Sequence, residues 1–159
     1  MSRPPGIEAH RRRVAAREPT GVREIAARLQ RFFEREPGHG VVSAYLFGSQ
    51  AAGRAHRESD IDVGVLADRT VHPTRRERFD LRLRLIVRLG AELGREADVV
   101  LLDDASPELG RRVIREGERV YCADPELDHA FVRDVQLRAA DLEPFLRRMR
   151  RIKLEALAR

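Results

Sequence analysis

The sequence predicts an α+β domain: a small mixed sheet packed with helices, followed by a helical C-terminal segment. Three observations point there. Apolar runs of strand length alternate with stretches of helical period. The helical stretches start and stop on capping residues, Pro and Gly. A chain of 159 residues, 42% of them apolar, supplies one core rather than two.

Each element has its own justification. Residues 1–18, rich in Arg, Pro and small side chains, read as a loose tail, and a single domain is expected over 19–159. The Arg11-Arg12-Arg13 triplet in that tail reads as a solvated basic stretch. A first helix is expected from about Thr20, which can cap it. Val22, Ile25, Leu29 and Phe32 recur on one face of it, and Pro37-Gly38 ends it. Val41 to Phe47 is an apolar strand, and 61–66 is a second. A second helix spans about 74–93, with Leu81, Leu85 and Leu89 in register and Gly94 as its stop. Residues 97–102 form a short buried strand. Ser106-Pro107-Glu108 reads as a cap with Pro in the first turn of a third helix, which ends near Gly117. Arg119 to Cys122 reads as a fourth short strand. Asp124-Pro125 opens a helical extension from about 124 to Ala158, which Pro144 should kink or divide.

Composition narrows the class. The net charge of +5 permits an acidic or nucleic-acid partner without requiring one. All but Lys153 of the 31 basic residues are Arg, a bias that reads as genome composition and could also serve phosphate contacts. The single cysteine, Cys122, excludes an internal disulfide and a cysteine metal cluster, and reads as an inert core thiol. No run approaches a membrane span and no signal peptide is visible, so a cytoplasmic protein is expected.

The chemistry lies in residues 47–65. The first strand runs into Gly48-Ser49, and after ten further residues come Asp60 and Asp62, flanking Ile61. On a strand, carboxylates one residue apart share a face while the residue between them points into a core. Such a pair can grip hard divalent cations such as Mg2+, which prefer oxygen ligands and retain substrate phosphates. Gly48 lets backbone approach a phosphate, and the Ser49 hydroxyl and nearby N–H groups can donate to it. A metal clamp facing a phosphate cradle suits phosphoryl or nucleotidyl transfer. Asp98, a lone acid opening the apolar strand 97–102, is the candidate third carboxylate, because an acid there needs a reason. Asp103 and Asp104, at that strand's far end, read as solvated residues of a turn or cap.

Gly-Ser, ten residues, then Asp-x-Asp resembles the signature of the DNA polymerase β-like nucleotidyltransferases. In its short length the chain resembles the minimal nucleotidyltransferases, and among these the MntA-type antitoxins of MNT/HEPN toxin–antitoxin systems. The later likeness rests partly on the run Asp141-Leu142-Glu143-Pro144-Phe145-Leu146 in the helical tail. The resemblance implies a nucleotidyltransferase fold, Mg2+ held by Asp60, Asp62 and Asp98, and ATP phosphates held by Gly48 and Ser49 with Gly53, Arg54 and Ser59. Two ions are implied. Many relatives carry Arg just before the second loop glycine, where this chain has Ala52; Arg54 can supply the charge instead. The implied reaction is transfer of AMP from ATP to a tyrosine of a HEPN-type ribonuclease toxin, which neutralises it as a hetero-oligomeric partner. Asp98 is implied as the group that deprotonates the nucleophile. Two other readings stay open: an aminoglycoside-type enzyme with the same core, and a non-catalytic antitoxin acting by occlusion.

Other residues have plainer readings. His56 lies near the motif but reads as a solvated loop side chain. Ser59 can orient Asp60 or serve the turn. His39, His72 and His129 lack partners at metal spacing, and Tyr45 reads as strand packing. Arg82, Arg84 and Arg88 read as a solvated helix face. Phe131, Val135, Leu142, Phe145 and Leu146 could cover the core or dock a partner.

Overall fold

The computed structural model describes residues 18–35, 39–51 and 59–157. The expectations for the tail, for Pro37-Gly38, and for Gly53, Arg54 and His56 lie outside these residues. Helix α1 (Glu18–Glu34) precedes strand β1 (Val41–Phe47), and a single helical turn, α2 (Gly48–Ala51), follows directly. Then come β2 (Ile61–Ala67), α3 (Arg75–Leu93), β3 (Ala97–Leu101), α4 (Pro107–Glu116), β4 (Glu118–Cys122) and α5 (Pro125–Leu157). The four strands form one sheet in the order β3-β2-β1-β4. β2 and β3 are parallel, and β1 is antiparallel to both of its neighbours. α3 is the crossover that a parallel pair requires.

The termini of α3 and α4 follow their sequence signals. Thr74 and Glu77 form a reciprocal capping box, and Gly94 closes α3 in the left-handed region at φ 64°. The Ser106 side chain caps α4 ahead of Pro107. Asp124 accepts from the amides of Glu126 and Leu127 and so caps α5. Two expectations need correction. α1 begins at Glu18, so Thr20 lies within its first turn rather than before it. Pro144 does not divide α5, which runs unbroken over 33 residues. The helix is braced on both sides of the proline: Glu143 pairs with Arg147 and Arg111, and Arg150 pairs with Glu108 of α4. Pairs this exposed recover only part of what the proline costs the helix.

The sheet separates two apolar clusters. Ile61, Val63 and Val65 point to one face and meet Leu29 and Phe33 of α1 and Leu81, Leu85 and Leu89 of α3, as the helical spacing predicts. On the other face Val42, Tyr45, Leu66 and Leu102 pack with Val113 of α4 and Phe131 of α5. A β-carbon on Gly64 would lie 2.9 Å from a Val113 methyl, so glycine there lets α4 settle directly on β2. Phe131 and Val135 thus serve the core, whereas Leu142 and Phe145 are exposed.

Several side chains assigned to solvent are built into the fold. The Asp103 side chain is 4% exposed; it accepts from the Ala67 amide at 2.7 Å and pairs with Arg69. Asp104 takes both Arg78 nitrogens at 3.0 Å, and Arg78 is buried while also donating to the carbonyls of His72 and Pro73. The Arg78 guanidinium holds the Asp104 carboxyl below its usual range, against the opposing effect of burial. Arg88 lies over the Phe32 ring, and Arg82 reaches the sheet. His39 stacks edge-on against Phe33 and Tyr121, accepts from the Val41 amide at Nδ1, and meets the Phe33 carbonyl at Nε2. That pattern fits the neutral ring, and burial lowers its pKa accordingly. Cys122 is half-buried on β4 rather than in the core, with its thiol pKa raised by burial and then by Asp128.

Candidate active site

The sheet brings the motif residues to one end of its strands β1, β2 and β3. Within the pairing, Asp62 lies opposite Phe47 of β1 and beside Asp98 of β3. The two aspartates therefore share a face on adjacent parallel strands, which run about 4.8 Å apart. Ile61, fully buried, anchors the start of β2 between Asp60 and Asp62. Asp60 is exposed and Asp62 half-buried. The chain leaves β1 at Gly48, whose φ is +74°, and turns into α2. A β-carbon on Gly48 would lie 2.1 Å from the Asp62 carboxylate. The glycine is thus required twice, by its left-handed backbone and by the acid lying against it.

Gly48→Ala should therefore force Asp62 out of place. We expect destabilisation of about 1–2 kcal/mol and roughly a hundredfold loss of activity through displacement of the acid. Thermal unfolding and initial-rate measurements check this; a variant with wild-type kinetics would refute the close packing of Gly48 on Asp62.

The electrostatics match the geometry. Burial raises the pKa of Asp62, and the charges of Asp98 and Asp60 raise it further; Arg112 of α4 opposes them. Asp98, whose side chain is 52% exposed, accepts from Arg82 Nη2 at 3.1 Å, while Arg82 Nε donates to the Val99 carbonyl at 2.6 Å. Among the described residues no three acidic, histidine or cysteine side chains close around a common point as a finished metal cage would. The donor set nevertheless fits a hard divalent cation. It is all carboxylate oxygen, and a cation would offset both the burial and the neighbouring charges that raise Asp62. Asp60, Asp62 and Asp98 are the residues that could hold it.

Of the expected phosphate ligands, Gly48 and Ser49 lie at the end of β1 beside these acids. The Ser59 carbonyl accepts from Arg95, at the turn between α3 and β3, and the Ile61 amide donates to the Glu96 carbonyl at 3.0 Å. Those bonds fix the backbone on either side of Asp60. Sequence reasoning missed Arg82, Arg95 and Arg112. Each acts over a long flexible side chain from another element, and no local spacing signals such a contact.

Comparison with known proteins places the chain in a family. Residues 27–126 match the model of the family described as Polymerase beta, Nucleotidyltransferase. The protein adenylyltransferase MntA of Shewanella oneidensis is 36% identical over 77 residues, which are 48% of this chain and 51% of that protein. The chain thus spans about half the length of this curated relative. A toxin–antitoxin crystal structure with AMP-PNP matches at a TM-score of 0.58 and 24% identity, covering 84% of this chain and 98% of that one. A MntA–HepT toxin–antitoxin structure matches at 0.54 and 20%, covering 86% and 99%. The structure of the tri-AMPylated Shewanella oneidensis HEPN toxin with its MNT antitoxin matches at 0.51 and 22%, covering 89% and 99%. The family match spans most of the chain and contains every described acid of the site, and this protein belongs to the polymerase beta nucleotidyltransferase family.

Proposed function

We propose that the chain is a protein adenylyltransferase of the antitoxin type, moving AMP from ATP onto a tyrosine of a partner HEPN-type ribonuclease toxin and so neutralising it. The observation that carries this reading is the side-by-side placement of Asp62 and Asp98 against Gly48 at the end of β1. The identity with a protein adenylyltransferase, over the segment that they share, supports a protein as acceptor. The likeness in fold to antitoxins solved with HEPN toxins agrees with it.

In this reading Asp60, Asp62 and Asp98 hold Mg2+, and Gly48, Ser49, Gly53, Arg54 and Ser59 receive the triphosphate. The metal, when bound, offsets the charge on the attacking and leaving oxygens. Asp98, half-exposed on the edge strand, takes the proton of the incoming hydroxyl. The tyrosine oxygen bonds to the α-phosphorus, the bond from that phosphorus to the bridging oxygen breaks, and pyrophosphate leaves. An added AMP brings bulk and negative charge to the toxin. No described helix is long and apolar enough to cross a membrane, and we place the reaction in the cytoplasm, where ATP is available.

Incubating the chain with labelled ATP, Mg2+ and a co-encoded HEPN-type protein tests the proposal. Mass spectrometry should find an added AMP on a tyrosine of that protein. Transfer to an aminoglycoside instead would make it a small-molecule enzyme. Tight inhibition of the ribonuclease without modification would make it an occluding antitoxin.

A further inference from the structure

We propose that a groove along the free edge of β3 seats a large apolar side chain of the acceptor protein, next to the hydroxyl that receives AMP. The inference rests on the adenylyl-transfer reading above and names the docking surface that the reading requires.

The groove encloses about 470 Å3 between α3 and α4. Phe79 of α3, 51% exposed, Val100 of β3 and Leu109 of α4 line it, together with the charged Arg75, Arg82 and Asp104. α4 settles on β2 at Gly64, which leaves the neighbouring edge strand partly uncovered. The groove is joined to the acids in two ways. Val100 shares the sheet face of Asp98 two residues further along, about 7 Å away at the rise of a strand. Arg82 bonds both the Asp98 carboxylate and the Val99 carbonyl, so its guanidinium borders the acid on one side and the groove on the other. A protein whose tyrosine reaches Asp98 therefore lays its adjoining surface over Phe79 and Val100.

The chemistry of the edge selects the occupant. A strand added to β3 would need the outward carbonyls of Val99 and Leu101. Arg82 already bonds the first, and the Asp104 amide bonds the second at 3.2 Å. Strand addition is thus blunted, and side-chain docking remains. Phe79, Val100 and Leu109 give the groove apolar surface that only an apolar side chain buries, while Arg75, Arg82 and Asp104 keep its margin polar. The exposed Leu142 and Phe145 of α5 form the rival surface, but no described contact ties them to the acids.

The test uses Asp62→Asn as background, so that binding is measured without transfer, and reads the Kd for the HEPN-type protein by titration calorimetry. Adding Phe79→Asp should weaken the complex at least about tenfold, the value of losing one large apolar anchor. Phe79→Leu should restore most of the affinity, and binding of a non-hydrolysable ATP analogue should be unchanged throughout. An unchanged Kd in Phe79→Asp, or weakening caused by Phe145→Asp alone, would overturn the assignment. A wild-type chain that binds through the groove but moves no AMP would count against the activity and leave the docking surface standing.

Discussion

Asp62→Asn should abolish the proposed AMP transfer and, without divalent metal, raise the thermal stability of the protein. Both effects come from one carboxylate. Asp62 lies between Asp98 on the adjacent strand and the start of β2 at Asp60, and its pKa is raised by burial and by those two charges. At neutral pH its ionised form is therefore held at a cost in the metal-free protein. A group whose folded pKa is raised contributes stability below its unfolded pKa, and that contribution is lost as the pH rises through the folded value. The variant's advantage should be visible at pH 7 and disappear towards about pH 4, where the wild-type acid is protonated as well. Mg2+ should reverse the ranking by stabilising the wild type and not the variant. A metal ligand contributes several kcal/mol to the transition state, so transfer should fall about a thousandfold or more. Melting curves with and without Mg2+, with transfer assays alongside, measure all of this. Retained transfer would remove Asp62 from the metal site.

Much of this geometry is legible in the sequence, because strand periodicity fixes faces. Asp60, Ile61 and Asp62 declare two outward acids and one buried anchor, and Ile61 is fully buried. Asp98 stands out as a single acid in an apolar run, and the parallel register sets it beside Asp62. The caps Ser106 and Asp124 are readable because each acts within three residues, whereas Thr20 is not a cap, since α1 already begins at Glu18. What is not legible is tertiary. Asp103 and Asp104 look like ordinary turn acids, and only the fold supplies the Ala67 amide and the buried Arg78 that they bind. Arg82 and Arg95 look solvated by type, yet Arg82 reaches the Asp98 carboxylate from α3 and Arg95 the Ser59 carbonyl from the turn after it. Pro144 misleads in the other direction: α5 runs through it unbroken, flanked by ion pairs to α4 that local reasoning does not see. The loop residues Gly53 and Arg54 lie outside the described residues, and their role remains part of the proposal.

The largest stability effect should come from a residue remote from the chemistry. Asp128, in the first turns of α5, is completely buried. It accepts from the Tyr45 hydroxyl of β1 at 2.6 Å and from Arg119 of β4 at 2.7 Å. The buried Ser43 hydroxyl makes no hydrogen bond of ordinary geometry, yet it lies near enough to favour the ionised acid. Burial pushes the Asp128 pKa up, but the Tyr45 and Arg119 donors, with the nearby Ser43 hydroxyl, outweigh it and hold the carboxyl below its usual range. Burial and the same carboxylate raise the pKa of Tyr45, so the tyrosine stays a donor. One acid thereby ties the long helix to β1, the strand that ends at Gly48. Asp128→Ala strands the Tyr45 hydroxyl and removes the partner of Arg119, and should cost about 3 kcal/mol. For a chain of this size that lowers the melting temperature by roughly 6–12 °C. Arg119→Ala should cost less, because the arginine side chain is 43% exposed and water can replace much of what it loses. The pH dependence has a definite sign. A depressed carboxyl contributes stability above its unfolded pKa of about 3.9, and that contribution is lost as the pH falls through the lower folded value. The gap between wild type and Asp128→Ala should therefore be full at pH 7 and narrow below about pH 4. Equilibrium unfolding across that range measures it; a loss under about 1 kcal/mol at pH 7 would mean that α5 is held to the sheet by apolar packing alone.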